Sequence, residues 1–293
     1  MVRSTIKPDI IVAVDGSPDS EAAIVWAARE AVLRGAAVKL LHVIAPMVVD
    51  LSISPVPENF IEWQKDNAKQ ILAQAEKTLL ANTVEEQTPD VHSEVRFGSV
   101  VGEIVDATRQ VHLAVVGSRG MGAVGRAVLG SVSSGLVHHA HCPVAVVHVN
   151  ETQPADLSSP VLLGVDGSPA SEKAIALAFD EASRRGVELV ALHAWSDVGV
   201  FPVLGMDWRR YEDEGREVLG ERLAGWSEQY PEVRVQRRIV CDQPARWLID
   251  ASADAQLVVV GSHGRGGFTG MLLGSVSGAV AQSAKAPVIV VRS

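Results

Sequence analysis

Two Asp-Gly-Ser triplets and two spaced glycine loops carry the chemistry that this 293-residue chain can offer. Val14-Asp15-Gly16-Ser17 recurs as Val165-Asp166-Gly167-Ser168. Gly117-Ser118-Arg119-Gly120 is followed after nine residues by Gly130-Ser131, as Gly261-Ser262-His263-Gly264 is by Gly274-Ser275. Glycine lets the main chain approach a ligand closely, and a helix opening at Gly130 or Gly274 offers unpaired N–H groups at its positive end. Ser131, Ser133, Ser275 and Ser277 add hydroxyl donors, so the loops suit a phosphate chain without any lysine. Asp15 and Asp166 read in two ways: as ligand groups, or as starters of the next helix, since Asp and Ser are both good caps.

The elements that must position these residues come in two copies. Ile10 to Val43 returns 151 residues later as Val161 to Ala194, and the glycine-loop segment returns after 144. Such a period is far longer than a solenoid repeat, so each copy predicts a complete domain. The boundaries fall at 1–150 and 161–293, with a polar, proline-bearing linker over 151–160. Short β-branched runs at 10–14, 37–44, 91–96, 112–116 and 143–149 predict buried strands. Helical periodicity fills the gaps, with Ala22, Ala23, Trp26 and Ala27 on one face, then 61–80, 101–108 and 132–139. Pro18 and Pro169 sit where a first helical turn accepts proline. Near-continuous apolar strands alternating with helices predict an α/β domain with a doubly wound parallel sheet and helices on both faces. Ligands of such sheets bind beyond the carboxyl ends of the strands, where strand order reverses. If the first and fourth strands flank that point, Asp15 faces the 117–131 loop and Asp166 faces the 261–275 loop.

Composition narrows the function. With 26 Lys plus Arg against 35 Asp plus Glu the net charge is -9, which argues against nucleic acid as a partner. Cys142 and Cys241 make no disulfide framework and read as ordinary thiols in a reducing compartment. The run Ile10 to Val14 is too short for a signal core or a membrane span, so the chain reads as cytoplasmic with no membrane partner. Gly120-Met-Gly122-Ala-Val-Gly125 matches a dinucleotide fingerprint but follows the fourth strand, and the second copy breaks the spacing. A P-loop is absent. His138, His139, His141 and Cys142 look like a metal cluster, yet the second copy has Gln282, Ser283, Lys285 and Ala286 there, so no metal site is assigned. His42 and His193 recur at the end of the second strand and read as packed histidines that donate to main chain. Trp63, Trp208 and Trp226 read as core or interface, and Glu62, Lys65, Asp66 and Lys69 as a solvated helix face.

The triplet after the first strand, Leu-His-Val after the second, and G-x2-G-x9-G-[ST] after the fourth resemble the universal stress protein family, in its ATP-binding tandem-domain form. The resemblance spans the whole chain. It implies two flavodoxin-like (Rossmann-like) domains, each a five-stranded parallel sheet of order 3-2-1-4-5. It also implies one ATP site per domain, with Mg2+, a regulatory role in stress or dormancy, an unidentified protein partner and a homodimer. Carried over by position, Asp15 beside Gly16 lies near ribose or metal, Val43 meets adenine through its backbone, and Gly117 lies by the ribose. Gly120, Gly130, Ser131, Val132 and Ser133 then hold the phosphates. The second set is Asp166 with Gly167, Ala194, Gly261, Gly264, Gly274, Ser275, Val276 and Ser277. Each glycine loop has one basic residue at matching places, Arg119 and His263, and then Arg126 or Arg265, and no carboxylate or Gln recurs beside them apart from Asp15 and Asp166. That set holds a nucleotide better than it cuts one, so no catalytic residue is assigned. Slow hydrolysis or phosphotransfer, and another adenine nucleotide such as cyclic AMP, are the alternatives. The apolar last strands, at a sheet edge under that order, predict that the two domains pair through them.

Overall fold

The computed structural model describes residues 10–46, 59–83, 88–120, 129–149, 156–168, 171–194, 208–264 and 273–292. The chain divides into two compact units, Met1–Val149 and Asn150–Ser293. Pro169 and the loop residues Gly122, Gly125, Arg126 and Arg265 lie outside the described set.

In unit 1 the elements alternate: β1 (Ile10–Ala13), α1 (Pro18–Arg34), β2 (Val38–Ile44), α2 (Phe60–Ala81), β3 (Val91–Phe97), α3 (Val100–Ala107), β4 (Leu113–Gly117), α4 (Ser131–His139) and β5 (Val144–Val147). The strands pair in parallel in the order β3-β2-β1-β4-β5. Unit 2 repeats the plan with β6 (Val161–Val165), α5 (Glu172–Arg185), β7 (Leu189–Ala194), α6 (Trp208–Gln229), β8 (Val235–Val240), α7 (Pro244–Ala251), β9 (Leu257–Gly261), α8 (Ser275–Ser283) and β10 (Val288–Val291). Its order is β8-β7-β6-β9-β10. The expected doubly wound arrangement is present in both copies, and the strand order reverses between β1 and β4 and between β6 and β9.

The reasons are local. The strands β1, β4, β5, β6, β9 and β10 are apolar on both faces, and Ile10, Val12, Val115, Val144, Leu163, Val259 and Ile289 are fully buried. Each such side chain withdrawn from water contributes about 1.5–3 kcal/mol. The outer strands β3 and β8 instead carry His92, Glu94 and Arg96, and Gln236, Arg237 and Arg238, which suits strands open on one side. Helix α1 starts where Ser17 accepts from the Ser20 N–H, has Pro18 in its first turn, and stops at Gly35 in the left-handed region (φ 60°). Its alanines, Ala23, Ala27, Ala28 and Ala31, are buried and let it lie close on the sheet. Gly186 (φ 63°) ends α5 in the same way. Among the described residues no helix is long and apolar enough to cross a membrane.

Candidate functional site

The turn after β1 sets the site. Gly16 takes φ +82° and Gly167 φ +78°, a conformation that side-chain-bearing residues rarely adopt, so the chain reverses sharply just past each aspartate. One Asp15 oxygen, Oδ1, accepts from the Ser17 N–H at 2.9 Å. Asp166 Oδ1 accepts from the Ser168 N–H at 3.0 Å and the Ser168 hydroxyl at 2.8 Å. Asp15 therefore shapes the turn, while Ser17 is the residue that caps α1.

The second oxygen of each aspartate faces the glycine loop. A Cβ placed on Gly120 would lie 2.5 Å from Asp15 Oδ2, and one on Gly264 would lie 2.9 Å from Asp166 Oδ2. Only glycine admits the carboxylate there. The expected juxtaposition of the two loops, about 100 residues apart in sequence, is thus realised in both units. Asp166 Oδ2 is buried and has no hydrogen-bond partner among the described residues. A buried carboxylate oxygen left so is costly, which favours a hydroxyl donor or a cation beside it.

The loop then returns to a helix start. The Gly130 N–H donates to Ser118 C=O at 2.8 Å and the Gly274 N–H to Ser262 C=O at 2.7 Å. Gly130 and Gly274 are the cap positions of α4 and α8, and among the described residues no side chain caps either helix. The main-chain donors of the first turn, including those of Ser131 to Ser133 and Ser275 to Ser277, form a positive end suited to an anion. Ser131 and Ser275 are exposed at this rim. Ser133 and Ser277 correct the sequence reading, which made their hydroxyls phosphate donors. Both side chains are buried and donate inward, Ser133 Oγ to Ser118 C=O at 2.8 Å and Ser277 Oγ to Ser262 C=O at 3.0 Å. A hydroxyl has one proton, and here it pins the loop to the helix.

Gly117 also has a packing reason. A Cβ there would come within 2.5 Å of the Asp19 main-chain carbon, so glycine lets the first turn of α1 lie against the end of β4.

The second strands contribute main chain. In a parallel ladder successive residues turn their amide groups to opposite neighbours. Leu41 C=O accepts from Val14 N–H at 2.9 Å on the β1 side, whereas Ile44 C=O accepts from Gly98 N–H on the other. Val43 therefore turns its amide groups toward β1 at a level past Ala13, the last residue of that strand. Glu188 C=O accepts from Val161 N–H at 2.9 Å, which by the same alternation turns Ala194 toward the end of β6. His42 Nδ1 lies 2.7 Å from Val14 C=O and His193 Nδ1 2.7 Å from Val165 C=O. A carbonyl only accepts, so Nδ1 carries the proton and the imidazole donates to main chain, as the repeat predicts.

The units part at the residues between the glycines. In unit 1 Asp19 Oδ1 accepts from the Ser118 hydroxyl at 2.6 Å and lies 3.4 Å from Arg119 Nε. In unit 2 Ser262 Oγ lies 2.9 Å from His263 Nδ1, and Ala170, outside the described residues, replaces Asp19 in sequence. The Asp19 contact escaped the sequence reading. Its only signal was an acid in the first turn of α1, which dipole considerations already explain.

Among the described residues no group of three or more His, Cys, Asp or Glu is arranged to hold a metal. Burial pushes the Cys142 thiol up to about 12. Trp63 is 61% exposed, which corrects the core half of its assignment to a core or interface: it stands on the outer side of α2 beside Phe60. Trp226 packs on Phe179 and Tyr230 and donates its indole N–H to Glu172 at 2.6 Å.

The model of the universal stress protein family matches residues 8–148 and again 158–292. The chain is 53% identical over 292 residues to a universal stress protein of Mycolicibacterium smegmatis, covering 100% of this chain and 99% of that one. It is 50% identical over 284 residues to a universal stress protein of Mycobacterium tuberculosis strain H37Rv, covering 97% and 96%. Among solved structures, that of a universal stress protein from Archaeoglobus fulgidus aligns at a TM-score of 0.70 with 21% identity, covering 98% of both chains. That likeness is one of fold alone.

Proposed function

Since the chain belongs to the universal stress protein family, we propose that each unit holds one adenine nucleotide, ATP with Mg2+, at the crevice where strand order reverses. The protein is read as a nucleotide-dependent regulator of stress response or dormancy. One observation carries this: in both units a carboxylate oxygen stands against a loop glycine, beside a helix start that no described side chain caps. That pairing supports a ligand with a hydroxyl-bearing part near the aspartate and an anionic part at the helix.

Asp15 and Asp166 take the ribose hydroxyls or the cation, and the buried, unpartnered oxygen of Asp166 fits either. Bound Mg2+ supplies positive charge that offsets the phosphates. Gly117 and Gly261 border the ribose, and the main chain of Val43 and Ala194 meets the adenine edge. Gly120, Gly130 and the first-turn amides of Ser131 to Ser133 receive the phosphates in unit 1, as do Gly264, Gly274 and those of Ser275 to Ser277 in unit 2. Rapid hydrolysis needs a group that orients water, in addition to charge on the leaving phosphate. The carboxylates of the described crevice are already committed, Asp15 and Asp166 to the ribose or cation and Asp19 to Ser118 and Arg119, which favours retention over turnover. The reading places the chain in the cytoplasm, as a homodimer whose occupancy a protein partner senses.

The direct test is to denature freshly purified protein and identify and count the released small molecules. One ATP per unit, reduced by half in single-unit variants, supports the proposal. No released nucleotide, together with no binding of added ATP, removes it. A release dominated by cyclic AMP or AMP keeps the site and changes the ligand, and a multiple-turnover assay at the typical enzyme scale of about 10 per second would move the protein to the enzymes.

A further inference from the structure

The two crevices are alike in main chain and unlike in fixed charge. In unit 1 the guanidinium of Arg119 is placed by Asp19: Nε lies 3.4 Å from Asp19 Oδ1, with the Arg119 side chain 29% exposed and Asp19 11%. Asp19 is itself oriented, because its Oδ1 also accepts from the buried Ser118 hydroxyl at 2.6 Å. This is Arg119's only ion pair among the described residues, and it engages the inner nitrogen, leaving the planar outer pair of nitrogens for another oxyanion. The location is telling. Arg119 Cα lies 3.3 Å from the point that a Cβ on Gly130 would occupy, so the residue sits between the first turn of α1 and the start of α4. Its chain neighbour Gly120 touches the Asp15 carboxylate.

Unit 2 lacks this arrangement. Ala170 replaces Asp19 in sequence, His263 replaces Arg119, and the imidazole is held by the neighbouring Ser262 hydroxyl at 2.9 Å. Each adjoining loop adds one arginine, Arg126 or Arg265, outside the described residues, so the count there is balanced. A guanidinium fixed by a carboxylate can form paired, charge-assisted bonds to a phosphate oxyanion, which an imidazole tied to a serine does not reproduce.

We propose that Asp19 and Arg119 make unit 1 a reader of phosphate number: Arg119 binds the outer phosphates of a nucleotide, Asp19 positions it, and unit 2 discriminates less. The inference rests on the nucleotide reading above and deepens it by assigning triphosphate preference to one unit. The consequence is a chain whose two sites respond differently as triphosphate gives way to monophosphate.

The test is titration calorimetry of the full chain with ATP, ADP and AMP, with one unit silenced at a time by Gly264→Val or Gly120→Val, whose side chains would meet the aspartate. Where such a variant does not fold, Asp166→Ala or Asp15→Ala replaces it. The expected ratio of ATP to AMP affinity is about tenfold larger in unit 1 than in unit 2, the scale of one charge-assisted contact. Arg119→Ala erases most of that ratio and leaves AMP affinity within about twofold, Arg119→Lys restores part of it, and Asp19→Asn lowers it a few fold. Equal ratios in the two units, or an Arg119→Ala variant that weakens ATP and AMP alike, overturn the proposal while leaving the nucleotide reading intact. A chain that binds no adenine nucleotide at either unit overturns both.

Discussion

Among the described residues unit 1 and unit 2 share the main-chain features that frame the crevice and, the paired aspartates apart, differ in the charged side chains beside it. The positive-φ glycine, the aspartate against a loop glycine, the uncapped helix start and the histidine on the strand-end carbonyl all occur twice. By contrast, Asp19 and Arg119 stand against Ala170 and His263. Farther out, Arg96 of β3 gathers Glu94 at 2.6 Å, Glu103 at 3.6 Å and Asp106 at 3.7 Å. In unit 2 the strand register puts Val240 at that place, and Arg238 of β8, which matches Glu94, stacks over Trp247 at 5.5 Å. The lesson is that the fold demands the backbone path, which only a few residue types can follow, and is indifferent to how the surface charges are arranged.

The comparison breaks most visibly at Gly117. In Gly117→Val the new side chain meets α1 main chain, which cannot swing aside, so unit 1 loses about 3 kcal/mol or more. Two-probe denaturation should show the unit 1 transition moving while unit 2 holds. If both move together, or neither does, Gly117 does not serve unit 1 alone. Next come Gly120→Ala and Gly264→Ala, where the obstacle is a flexible carboxylate instead of backbone. Each should cut nucleotide affinity in its own unit roughly 10- to 100-fold with stability changed by less than about 1 kcal/mol. Calorimetric stoichiometry checks this, and equal loss in both units would refute the independence of the sites.

Ser133→Ala and Ser277→Ala sharpen the likeness. Each removes the donor to a buried carbonyl, and each should cost about 1 kcal/mol, the same in the two units within error of chemical denaturation. The smallest effect concerns acid. Burial by itself raises the Glu94 carboxyl, but hydrogen bonds from Lys39 and Arg96 overcome it and hold the group below its ordinary 4.5. A depressed carboxyl stabilises the fold above its unfolded value and loses that contribution as pH falls through the folded one. Unit 1 should therefore lose a few tenths of a kcal/mol more than unit 2 below about pH 4.5, partly screened by salt because the group remains partly exposed. A Glu94→Gln chain that keeps the same acid profile would show that the network contributes nothing.

Much of this was legible in the residues. The apolar runs at 10–14 and 161–165 are buried strands because a parallel sheet covered on both faces leaves no room for alternation. The placement of Asp15 against Gly120 followed from topology, since a reversal of strand order brings those two loop ends together. The inward turn of Ser133 was not legible: its acceptor, Ser118 C=O, is fifteen residues away and is aimed only once the loop has folded. Nor was Trp63. Helical spacing says which residues share a stripe, but the stripe of α2 that meets the sheet runs through Ala68, Leu72, Ala75 and Leu79 and leaves Trp63 outside.

The paired histidines on the strand-end carbonyls reach beyond mechanics. They fasten the turn that carries each aspartate to the second strand by a bond that no ligand has to make. A duplicated gene built this way inherits two prepared crevices before either has acquired a task. Mutation can then change the loops after the second strands, APMVVDLSISPVP in one copy and WSDVGVFPVLGMDW in the other. Neither copy must relearn how to present its carboxylate, so one half can diverge while the other keeps its crevice unchanged.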